Sequence, residues 1–186
     1  MSLSMYSASA PVFTRGLGNM LTWLDKAQAH AEARKFDANN YLGLRLAPDM
    51  LPLTRQIQIT SDGAKACMSR LAGTEIPKWD DTEASLDELR GRIRKTLDHV
   101  QSFSAAQIDG SDARAISIPM RSGDALNFSG EAFLKHYALP NFYFHLTTAY
   151  AIFQNGIGST SYTIAGGPNH GIGINQAFLV NYDSLS

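Results

Sequence analysis

The sequence predicts a mainly all-α protein, a four-helix bundle with a small β-hairpin between its third and fourth helices. Three observations lead there. Apolar residues recur at intervals of three and four in four separate segments, the spacing of a helix with one buried face. Between the third and fourth of these segments the period changes to alternation, as in strands. The length of 186 residues suits one domain, and 44% hydrophobic with 18% charged residues excludes a disordered or fibrous chain.

The first helix is expected from Ala10 to Lys35. Pro11 sits where a missing N–H costs little, and Phe13, Leu17, Met20, Leu21 and Leu24 form a stripe that Ala27 and Ala31 continue. Gly16 and Gly18 weaken the helix locally or permit close contact with another. The second is expected from Pro48 to Leu71, with Pro52 in its first turn and Gly73 as its C-cap. Leu53, Ile57, Ala64, Met68 and Leu71 make its inward face. The third runs from Ser85 to Ser102: Ser85 and Glu88 have the capping-box spacing, and Leu86, Leu89, Ile93, Leu97 and Val100 form the stripe.

The alternating run Ala115 to Met120, a turn at Arg121-Ser122-Gly123-Asp124, and Ala125 to Phe128 then read as a hairpin. The fourth helix starts near Ser129 and ends at Asn155-Gly156, with a kink or break expected at Pro140. Beyond it the character changes. Ile157 to Ser186 contains one charged residue, Asp183, and is rich in Gly, Ser and Asn. Two strand-like runs, Ser161 to Ala165 and Ala177 to Tyr182, flank a glycine-rich middle, so the segment reads as a tail or a β-arm. The division is a bundle over residues 1–156 and an extension over 157–186.

A net charge of −1 gives no electrostatic drive toward nucleic acid or an anionic membrane. Arg90, Arg92, Arg94 and Lys95 alternate with acids and read as a solvated face. The single Cys67 excludes an internal disulfide and any multi-cysteine metal site, and it lies in a helical stretch as a packed thiol. No apolar run approaches a bilayer's thickness, and the first residues carry no secretory pattern. A cytoplasmic location is expected.

Three stretches carry a family resemblance: Leu3-Ser-Met-Tyr-Ser-Ala-Ser-Ala-Pro-Val-Phe, Leu46-Ala-Pro-Asp-Met-Leu-Pro-Leu-Thr-Arg-Gln-Ile-Gln, and Ala138-Leu-Pro-Asn-Phe-Tyr-Phe-His-Leu-Thr-Thr-Ala-Tyr. In this order they resemble a bacterial family of unknown function within the DinB/YfiT-like superfamily, over about Ser2 to Gly156. The resemblance implies an up-and-down bundle, often a homodimer, here through the apolar faces of helices one and four. Many superfamily members hold a divalent metal on three histidines, one on helix two and two spaced by four on helix four. Some are thiol-dependent transferases or isomerases. This chain departs from that pattern. Its second helix has no histidine, and His136 and His145 are nine residues apart. At about 100° per residue that is half a turn out of phase. The polar tail also differs from the short charged segment that closes similar chains.

None of His30, His99, His136, His145 and His170 lies three or four residues from another. No cofactor follows from the residues themselves; a divalent metal is what the resemblance would supply, with mixed ligation by His145 and Asp49, Asp62 or Gln56 as the form open to it. His145 is the foremost candidate for a ligand or base. It lies among aromatics near Pro140, which frees a backbone carbonyl at His136 and gives a polar pocket a reason to exist. The same histidine also fits a core role, bonded to a carbonyl or carboxylate. Asp49, Gln56 and Tyr143 complete the ligand-binding candidates; Asp49 equally fits a helix N-terminus, and Arg55 an ion pair or an anion clamp. Trp23, Trp79, Phe142 and Phe144 fit a pocket lining or the core. The Gly166–Gly173 stretch lacks the Lys-Ser/Thr of a phosphate loop, and no Gly-x-Ser-x-Gly elbow is present. The readings left are a small-molecule-binding or accessory bundle that has lost the metal site, and a metal-dependent enzyme with altered ligands around His145.

Overall fold

The computed structural model describes residues 4–120 and 122–157. Helix α1 spans Ala10–Arg34, α2 Leu53–Ala72 and α3 Leu86–Gln101. A short α4, Ala105–Ile108, leads to strands β1, Ala115–Ile118, and β2, Leu126–Ser129. Helices α5, Gly130–Phe133, and α6, Leu139–Ile157, are joined without interruption by a π turn over Leu134–Ala138. The bundle consists of α1, α2, α3 and the α5–α6 rod.

Local chemistry sets most boundaries. The Ser85 hydroxyl accepts the Glu88 N–H at 3.1 Å, and the Glu88 carboxylate reaches the N–H of Ala84 rather than that of Ser85. Gly73 closes α2 in the left-handed region at φ 71°, where a side chain would be strained. Ser129 caps α5. The strands pair antiparallel, with Ile116 opposite Phe128.

Two boundaries differ from the sequence expectation. Helix α2 starts at Leu53, not Pro48. Pro52 disfavours the α conformation at Leu51 before it, so Ala47–Met50 forms a turn and Asp49 lies outside the helix, exposed. At Pro140 the rod does not break. The turn before it widens, with the Leu139 N–H donating to the Leu134 carbonyl five residues back. The Asn141 side-chain amide donates to the Tyr137 carbonyl at 2.6 Å.

Each bundle helix has two main neighbours: α2 packs on α3 and α6, and α1 on α3 and α6. Contacts between Phe13 and Phe142 and between Trp23 and Tyr150 make α1 and α6 parallel. Asp62 meets Arg92 and Ser69 meets His99, so α2 and α3 are parallel too and run opposite to the first pair. The bundle therefore runs up, down, down, up. Its connection at residues 73–85 makes this possible: extended, it reaches roughly 40 Å, enough to return along the ~30 Å of α2.

The predicted inward residues of α2, together with Phe13, Leu17, Met20, Leu24, Leu89 and Ile93, are fully buried. Gly16 permits the close contact: a Cβ there would lie 2.7 Å from the Phe142 ring. Around Gly18 the space is open. No helix among the described residues is long and apolar enough to cross a membrane. The expected strand-like runs at 161–165 and 177–182 lie outside the described residues.

Candidate functional site

Two polar regions flank α2. Toward α6, Gln56 and His145 meet across 89 positions of sequence: the imidazole Nδ1 lies 2.8 Å from the Gln56 Oε1. The Gln56 Nε2 donates to the Leu51 carbonyl at 3.2 Å. Gln56 is 2% exposed, so its amide depends on these two partners. His145 is half-buried, and burial lowers its pKa below the usual 6.5 and favours the neutral ring. The Phe144 ring stands edge-on to the imidazole at 5.0 Å between centroids. Phe144 and Leu51 keep 58% and 44% of their surface exposed, which gives the pair an apolar border.

The other candidates fall elsewhere. Asp49 is exposed on the turn before α2. Tyr143, two positions from His145, is roughly 200° around the helix from it. Burial raises the Tyr143 pKa against the opposing charge of Arg15. Asp62 is engaged by Lys65 and Arg92. Phe142 and Trp23 are core residues. Of the remaining histidines, His30 contacts the Tyr41 hydroxyl, His99 contacts Ser69, and His136 is exposed.

Toward α3 lies a charge network centred on Arg92, which the sequence had placed on a solvated face. Arg92 is 4% exposed. Its guanidinium lies 2.9 Å from each of the Asp62, Asp81 and Glu83 carboxylates and donates to the Asp80 carbonyl at 3.2 Å. Its Nε has no partner among the described residues. Arg55 pairs with Asp81, and Gln58 donates to Glu83 at 2.7 Å. The Lys65 and Lys95 ammonium groups lie 4.4 and 4.6 Å from the centre of the Trp79 ring. Burial works to raise the Asp81 and Glu83 pKa values, but bonding to Arg55 and Arg92, and for Glu83 also to Gln58, outweighs it and both fall. One signal in the sequence did mark Arg92: it precedes Ile93 and lies three after Leu89, on the flank of the buried stripe.

A cavity of about 310 Å³ opens between the end of α1 and the start of α3, lined by Gln28, Phe36, Asp37, Asn39, Ser85 and Asp87 among others. None of the candidate residues lines it.

Residues 5–158 match the model of a domain of unknown function, DUF1993. The chain belongs to that family. It is also similar to a crystal structure of a DinB family member protein from Shewanella denitrificans, at 37% identity and a TM-score of 0.73, over 90% of this chain and 94% of that one. None of the curated proteins is significantly similar to it. This DUF1993 protein is thus a helical, DinB-like bundle. The described residues do not supply the three-histidine metal set that the resemblance implies. Among the described residues no three His, Cys, Asp or Glu side chains are grouped to hold a metal ion, and the α2 side chain facing His145 is an amide.

Proposed function

We propose that this DUF1993 protein binds a small molecule at the α2–α6 junction and works without the three-histidine metal centre. One observation carries this reading: His145, neutral and half-buried, is held by the buried Gln56 amide beside the exposed apolar surface of Leu51 and Phe144. A few placed polar groups with an apolar border are what a small-ligand site requires. Asp49 and Tyr143 have no part in this reading, which rests on the bond between Gln56 and His145.

The test is a fragment screen by protein-observed NMR on the wild type and on His145→Ala. Hits should cluster on Gln56, Phe144 and His145 and vanish in the variant, while its helical circular dichroism stays intact. Hits that persist in the folded variant, or fall at the cavity by Asp37, overturn the reading.

The imidazole lone pair and the amide oxygen also favour a second reading, a divalent-metal enzyme with altered ligands. Metal analysis of protein purified without a nickel column separates the two: stoichiometric zinc, nickel or iron counts against the metal-free site, and failure to reconstitute counts against the enzyme. A homodimer through α1 and α6 belongs to the same proposal. Helix α6 carries no Asp, Glu, Lys or Arg along its 19 residues, while Tyr143 and Phe144 remain exposed on it. Light scattering showing a monomer at micromolar concentration removes that part.

A further inference from the structure

We infer that Gln56 is a positioning residue that locks His145 in its Nδ1–H tautomer, so that the site selects ligands presenting an O–H or N–H donor. This rests on the α2–α6 site proposed above. The Leu51 carbonyl can only accept. The Gln56 amide, buried and 3.2 Å away, therefore turns its NH₂ toward Leu51. The opposite rotamer would set two oxygens against each other with no proton between them, on an amide that is itself buried. With the NH₂ committed, the Gln56 oxygen faces the imidazole Nδ1 at 2.8 Å. That contact is a hydrogen bond only when Nδ1 carries the proton.

A neutral imidazole carries a single N–H, and Gln56 takes it. The Nε2 nitrogen is then a lone-pair acceptor, and no described residue donates to it. Free histidine in water favours the other tautomer, so Gln56 reverses the intrinsic preference. An acceptor of this kind beside Phe144 and Leu51 favours a neutral donor on an apolar body, such as a phenolic hydroxyl. A ligand offering only an acceptor in the same place would meet lone pair against lone pair.

The experiment uses the full chain, ¹⁵N-labelled, with long-range imidazole spectra at neutral pH and His145→Ala to assign the signal. The wild type should show a protonated Nδ1 and a bare Nε2. Gln56→Leu should lose that preference. Gln56→Glu, which keeps an acceptor toward the ring, should keep Nδ1 protonated and raise the His145 pKa. Phenol should then shift the Nε2 resonance and bind roughly three- to tenfold tighter than anisole, the worth of one net hydrogen bond. A wild type with a protonated Nε2, or a Gln56→Leu variant that keeps the Nδ1–H form, overturns the inference. So does equal binding of phenol and anisole, while fragments that bind at His145 regardless leave the small-molecule reading standing. The absence of any fragment at His145 removes that reading, and this inference with it.

Discussion

On the α6 side of α2, a neutral amide and a neutral imidazole share one proton and leave a nitrogen that no described residue claims. On the α3 side, one buried guanidinium gathers three carboxylates and a backbone carbonyl, and nearly every polar atom is answered. The two regions lie on opposite flanks of the same helix. The difference teaches what each is for. The charge network fixes the 73–85 connection on the bundle, because loss of the buried Arg92 would leave three carboxylates facing one another. A neutral pair with an open valence holds less structure and retains capacity for a partner.

The sharpest way to break this comparison is Arg92→Met. It removes the cation and leaves Asp62, Asp81 and Glu83 facing one another. We expect a loss of about 3 kcal/mol in urea unfolding, toward the low end for a broken buried network because Asp62 and Asp81 are partly exposed. A loss under about 1 kcal/mol would place the network in the class of surface pairs. The matching change on the other flank, Gln56→Leu, leaves the Leu51 carbonyl and the His145 ring short of a partner. It should cost about 1–2 kcal/mol, and a cost equal to that of Arg92→Met would erase the distinction.

Acidification separates the regions by pH. The Asp81 and Glu83 pKa values are lowered in the folded state, so their contribution is complete above the ordinary carboxylate range and is lost as pH falls through the lowered values. The His145 and His99 pKa values are lowered as well, chiefly by burial. The unfolded chain therefore takes up protons first as pH drops below 6.5, and stability falls there too. Urea midpoints should decline in two stages. His145→Ala should soften the upper stage and Asp81→Asn the lower; a single stage indifferent to both variants would refute the assignment. The smallest effect belongs to Arg55→Gln. Its side chain is 41% exposed, and despite the short contact with Asp81 the loss should stay under about 1 kcal/mol.

Features read correctly from the sequence were those decided within a few residues. The Ser85 cap, the Gly73 terminus, the Ser129 start and the inward stripe of α3 depend on local hydrogen bonds and on the 3.6-residue period, and both are written in consecutive letters. The start of α2 was misplaced for an equally local reason: Pro52 was admitted to the first turn without the restriction it puts on Leu51. Asp49 went astray with it. The sequence led to His145 with Asp49 or Gln56 facing it from the second helix; that Gln56 is the one that meets the ring, and through which atoms, was not legible there.

What the tertiary structure alone decided is which distant groups share a space from which water is excluded. Residues 73–85 have no periodic signal, so nothing in their letters says that they return along α2 and carry Asp81 and Glu83 to Arg92. The parallel course of α2 and α3 follows from that return. Likewise the proton on His145 is set by a carbonyl at Leu51 through an amide at Gln56, a relay that exists only once α2 and α6 are packed. Composition and period determine that a bundle forms and which face of each helix is buried, because apolar burial is insensitive to direction. Hydrogen bonds and ion pairs are directional and short-ranged, so their partners are fixed only when the helices have taken their places.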